Sequence, residues 1–103
     1  MNDLEKLTTL NMLLDVYGAL LSERELEIAE MYYAENLSLS EIGENLSVSR
    51  QSISQNLQKT EAKLTEFEEK LHLLKRAKKR HQLVERLTKT YPELTEALSE
   101  LEN

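Results

Sequence analysis

Apolar positions recur along the chain at helical spacing, separated by short polar breaks. Leu7, Leu10, Leu14, Tyr17 and Leu21, with Leu4, Leu13 and Leu20 beside them, predict a first helix from about Asp3 to Ala19 or Leu20. Ser22 followed by Glu25 is a capping box. Leu26, Ile28, Ala29, Tyr32 and Tyr33 then continue at helical intervals, predicting a second helix from Glu23 to Glu35 that Asn36 ends. Ser38 and Glu41 repeat the capping signal ahead of Leu39, Ile42, Gly43 and Leu46, so the third helix is short, about eight residues.

Ser49 is the natural N-cap of a fourth helix marked by Ile53, Leu57, Leu64, Phe67, Leu71 and Leu74. With no glycine or proline before Pro92, it is predicted to run from Arg50 to Lys79, about 45 Å at 1.5 Å per residue. A stripe that long is stable only when covered, by the first helix, a C-terminal helix or a second chain. Leu83, Val84 and Leu87 extend the pattern, and Pro92 suits the first residue of a last helix carrying Leu94, Ala97, Leu98 and Leu101. The expected fold is all-α, a helical bundle with a helix-turn-helix, a long C-terminal helix and a final short helix. Residues 1–103 are read as a single helical domain. Residues 1–60 hold the N-terminal helices and the helix-turn-helix (38–58), and 61–103 the long helix extension and the C-terminal helix.

In the stretch from Leu39 to Leu57, Ile42, Leu46, Val48, Ile53 and Leu57 are expected to meet in one small core. Gly43 stands where two steeply crossing helices come closest, a position that suits a residue without Cβ. The second helix then presents Arg50, Gln51, Ser52, Ser54 and Gln55 at its N-terminal end, the end that enters the DNA major groove in helix-turn-helix folds. Glutamine pairs with an adenine edge, arginine with guanine or phosphate, and serine with either kind of partner. Lys59 lies further along and is assigned to phosphate.

Glu41-Ile42-Gly43-Glu44 followed by Val48-Ser49-Arg50-Gln51-Ser52-Ile53-Ser54-Gln55 resembles the helix-turn-helix of bacterial sigma factor region four. With Glu30 to Tyr33 before it, and Thr60 to Leu64 and Glu68 to Leu71 after it, the pattern from Leu10 to about Leu74 resembles the small YlxM-like family. That family is similar to a sigma region four with a long C-terminal helix, and its genes lie beside those of the signal recognition particle GTPases. The resemblance implies a regulator or accessory of that secretion-targeting pathway, with the helix-turn-helix as its DNA-binding part, and it does not imply an enzymatic activity. Where the sigma motif commonly places further arginines, this chain has Ser52 and Ser54.

Charge narrows the picture. The chain carries 13 basic and 19 acidic residues, a formal net charge of -6, which opposes nonspecific attraction to nucleic acid or anionic membrane. Any nucleic-acid binding must therefore be local. Residues 70–89 hold eight lysines and arginines against the single acid Glu85. Within them Lys75, Arg76, Lys78, Lys79 and Arg80 form a basic patch. It is a candidate contact for nucleic acid, for signal recognition particle RNA or protein, or for an acidic partner, and a solvated helix face is the plainer reading.

The remaining chemistry is sparse. There is no cysteine, and His72 and His81 stand nine residues apart, off one helical face, so no metal site, cofactor or catalytic group is expected. An acidic N-terminus and the lack of a long apolar run lead us to expect a cytoplasmic protein without membrane insertion. Tyr32 and Tyr33 are read as core in preference to base-stacking platforms. The stripe through Leu57, Leu64 and Leu71 is either a homodimer seam or the inward face of a monomer. In a parallel pairing Lys63 would face Glu68, but Lys70 would face Lys75 and repel.

Overall fold

A computed structural model describes residues 2–102, whose regular elements are all helical. They form two compact units, divided between Leu71 and His72. The first contains α1 (Asp3–Tyr17), α2 (Glu23–Ala29), α3 (Leu39–Leu46) and α4 (Arg50–Leu71), and the second α5 (Leu73–Thr90) and α6 (Thr95–Ser99).

Local sequence sets the helix starts. Asn2 caps α1 by accepting the Glu5 amide at 2.8 Å. At α2 and α3 both halves of the predicted capping boxes form. The Glu25 and Glu41 amides donate to the Ser22 and Ser38 hydroxyls, and the Ser22 and Ser38 amides donate to the Glu25 and Glu41 carboxylates. Ser49 caps α4, accepting the Ser52 amide at 3.0 Å.

Two predicted helices depart from their expected course, the second in its winding and the fourth in its length. The second passes after Ala29 into a π turn over Glu30–Ala34, with the Glu35 amide reaching back to Glu30 O. It closes on left-handed Asn36, where the Leu37 amide donates to Met31 O. The fourth stops at Leu71, about 33 Å from its start, because His72 adopts φ 54° and ψ 28°. Histidine is among the residues that tolerate the left-handed region, and the buried stripe of α4 has by then ended: Leu64 is sealed, Phe67 is half-buried and Leu71 is exposed.

The core of the first unit gathers Leu10, Leu13, Leu14 and Tyr17 of α1, Leu21 in the connection that follows, Ile28 and Ala29 of α2, Tyr33, Ile42 of α3, and Ile53, Leu57 and Leu64 of α4. The α4 stripe up to Leu64 is therefore covered by the chain's own helices. Two phenols tie these helices to α4: Tyr17 donates to Glu68 and Tyr33 to Glu61, each at 2.6 Å. Tyr17 also packs on Phe67, and Tyr32 meets the Tyr33 ring edge-on. Burial, and then the Glu61 carboxylate, push the Tyr33 phenol pKa far up. Tyr33 thus lies in the core, as the amphipathic pattern indicated, while Tyr32 is half-buried and packs against it from outside the core.

Lys63 reaches Glu25 at 2.7 Å, joining α4 to the capping box of α2. That ammonium, followed by the Ser22 amide, holds the Glu25 carboxyl below its usual pKa despite its burial.

In the second unit Val84 is the buried apolar side chain, with Ala77, Leu87 and Leu98 half-buried. Pro92 opens a 3-10 turn, Pro92–Leu94, that leads into the five-residue α6, so the last helix is shorter than its leucine spacing suggests. His81 lies 2.6 Å from Glu102 and 3.0 Å from Glu85. The Glu102 contact and charge, followed by Glu85, raise the imidazole pKa.

Candidate nucleic-acid interface

The helix-turn-helix is built by α3, a three-residue connection and α4. Ser47, just past α3, sits at φ 57° and ψ 41°, with its amide turned back to Glu44 O and Gly43 O. The next amide, Val48, donates to Gly43 O at 2.9 Å. This is a Schellman closure, with serine holding the left-handed position more often given to glycine.

Gly43 is the tight point. A Cβ added there would lie 2.7 Å from Val48 O and 3.5 Å from Arg50 N. What this glycine accommodates is thus the backbone of the connection itself, where the sequence suggested the crossing point of two helices. The side chain of Val48 is 40% exposed, outside the expected small core, because its backbone is what lies against Gly43. Ile42, Ile53 and Leu57 are buried and Leu46 is half-buried.

This closure leaves the start of α4 on the surface. Arg50, Gln51, Ser52, Gln55 and Lys59 are exposed and Ser54 is half-buried. Ser52 is partly committed to the cap: the Ser49 hydroxyl donates to its oxygen at 3.0 Å, a bond that does not use the proton of Ser52 itself. Leu39, which sequence reasoning did not single out, joins Arg50, Gln51 and Ser54 around a shallow depression. Its signal was positional, as the first residue of the helix that crosses the start of α4. Asn56 was also passed over, although its Oδ1 is buried without a hydrogen-bond partner.

The electrostatics distinguish this end of the unit. Up to Leu71 the chain has fourteen carboxylates against six lysines and arginines, yet residues 45–60 contain Arg50 and Lys59 and no carboxylate. The nearest acid before this window, Glu44, is exposed on α3. Glu41 is engaged in the α3 cap, where the Ser38 amide lowers its pKa.

Lys75, Arg76, Lys78, Lys79 and Arg80 all lie on α5, in the second unit, and all are exposed. They form a site separate in sequence and in unit from the residues of the helix-turn-helix. No helix among the described residues is long and apolar enough to cross a membrane.

The helix-turn-helix closed at Gly43 and the basic helix α5 both lie within one family match. Residues 4–103 match the family described as "Putative helix-turn-helix protein, YlxM / p13 like". The chain belongs to this family, UPF0122. It is 39% identical over 100 residues to a UPF0122 protein of Lactococcus lactis subsp. cremoris (strain MG1363), covering 97% of this chain and 90% of that one. It is 45% identical over 84 residues to a UPF0122 protein of Bacillus cereus (strain AH187), covering 82% and 76% of the two chains. The match extends across both units, so the basic α5 belongs to the family's length as much as the helix-turn-helix does.

Proposed function

We infer that this UPF0122 protein is a DNA-binding regulator that lays the first turns of α4 in the major groove. The observation that carries this reading is the carboxylate-free window 45–60, which coincides with the exposed start of α4 on an otherwise acidic unit. Gln51 and Gln55 read base edges, each suited to adenine, and Arg50 pairs with guanine or phosphate. Ser54 makes a short contact near Leu39, Ser52 donates its free hydroxyl proton to a phosphate, and Lys59 touches the backbone one or two turns on.

The test is selection of bound duplexes from a random DNA library with wild type and with Gln51→Ala/Gln55→Ala. A preferred sequence for wild type, changed or lost in the double variant, supports the reading. Retention of the same preference, or no selection at all, overturns it.

A second reading rests on α5, whose Lys78, Lys79 and Arg80 are exposed on consecutive positions. Together with the family resemblance it makes the protein an accessory of the signal recognition particle, binding its RNA or GTPase through this basic face. Reversing the three charges abolishes that association and leaves DNA selection unchanged.

A further inference from the structure

Between α1 and α2 the first unit carries a groove that the DNA-binding reading does not use. Its floor is apolar, formed by Leu14, Leu26 and Met31 and widened by Gly18, Ala19 and Ala34. Its rim is acidic, from Asp15, Glu27, Glu30 and Glu35. Glu27 is held by Arg24 at 3.5 Å, while Asp15, Glu30 and Glu35 have no ion-pair partner among the described residues. Carboxylates around an apolar trough are the complement of an apolar side chain surrounded by cations.

The second unit presents such a side chain. Leu83 on α5 is 51% exposed, although Val84 next to it is buried. Residues three and four apart are the neighbours on a helix surface, and for Leu83 these are Lys79 and Arg80 on one side and Arg86 and the half-buried Leu87 on the other. Lys79, Arg80 and Arg86 are exposed and make no ion pair among the described residues.

We propose that two copies of this chain associate by reciprocal exchange, with Leu83 of each α5 seated in the α1–α2 groove of the other and its three cations meeting the acidic rim. The occupant is a second copy because both complementary surfaces lie on one chain, on units of opposite charge balance: five carboxylates stand against seven lysines and arginines beyond Leu71. A two-fold pair satisfies both grooves and both leucines and closes the assembly.

Sedimentation equilibrium of the full chain tests this. Wild type is expected to be dimeric and to dissociate as salt rises. Leu83→Asp, Glu30→Lys/Glu35→Lys and Lys79→Glu/Arg80→Glu/Arg86→Glu each weaken the dimer at least about tenfold, with helix content by circular dichroism unchanged because every altered side chain is exposed. The decisive arm mixes the last two variants. Each alone repels itself at both contacts, whereas the mixed pair has attractive charges at both, so dimers return. A wild type that stays monomeric at high concentration overturns the proposal, including where its groove captures a basic helical peptide instead. A dimer indifferent to these reversals overturns it too, as does failure of the mixture to recover.

Discussion

Gly43 and Val48 are in contact through backbone alone: the Val48 amide donates to Gly43 O at 2.9 Å, and Val48 O lies where a Gly43 Cβ would intrude at 2.7 Å. Alanine is the better helix former, worth about 1 kcal/mol over glycine in an unencumbered helix. Here the atom it meets is backbone, which cannot swing aside. Gly43→Ala is therefore expected to destabilise the first unit by about 1–3 kcal/mol in urea unfolding, and to weaken DNA binding more than the lost stability accounts for, because the start of α4 must shift.

Glu25 links acid sensitivity to a particular pair. Its pKa in the folded chain lies below the ordinary 4.5, chiefly through Lys63. The stabilisation it supplies is complete above that ordinary value and is lost as pH falls through the folded pKa. Urea unfolding of wild type and Glu25→Gln across acidic pH should converge: wild type is the more stable at neutral pH, and the gap narrows as pH falls below that ordinary value and through the lowered one. A gap that stays constant down the acid limb would assign the loss to other carboxylates.

Thr60 is fully buried on α4, and its hydroxyl oxygen has no hydrogen-bond partner. A buried polar group left unpaired costs on the order of 1–3 kcal/mol, and valine fills nearly the same volume without it. Thr60→Val is expected to raise the unfolding free energy by about 1 kcal/mol, readable as a shift of the urea midpoint at unchanged slope.

Salt dependence measures how few phosphates the helix-turn-helix neutralises. With Arg50 and Lys59 as its cations, the slope of log affinity against log salt should be about -2. Arg50→Ala should bring it nearer -1. A slope several units steeper in wild type, collapsing when Arg76 and Lys78 are reversed, would place the DNA contact on α5, since neither belongs to the proposed contact between copies.

The parts of this fold that were legible in the sequence are those decided within one helical turn. Ser22 with Glu25, Ser38 with Glu41, and Ser49 each cap the helix they were read to cap, because a hydroxyl and an amide three residues apart need nothing else. The end of α4 was not legible: no glycine or proline marks His72, and the stop follows from where the buried stripe runs out. The π turn over Glu30–Ala34 was equally hidden, since it differs from an α turn by one residue of register. The Tyr17–Glu68 and Tyr33–Glu61 bonds span 51 and 28 residues and have no sequence pattern. At the candidate site, the motif marked Arg50, Gln51 and Gln55 as surface positions. That Ser52 is half spent on the cap, and that Leu39 borders the same depression, follows only from how α3 crosses the start of α4.

The window 45–60 also bears on approach, before any contact forms. On the proposed reading, a polyanion arriving at the first unit meets a net excess of carboxylates, and the window holding Arg50 and Lys59 is the stretch that offers cations with no acid between them. That reading makes encounters rarer than for a basic protein of this size and favours those that begin already aligned.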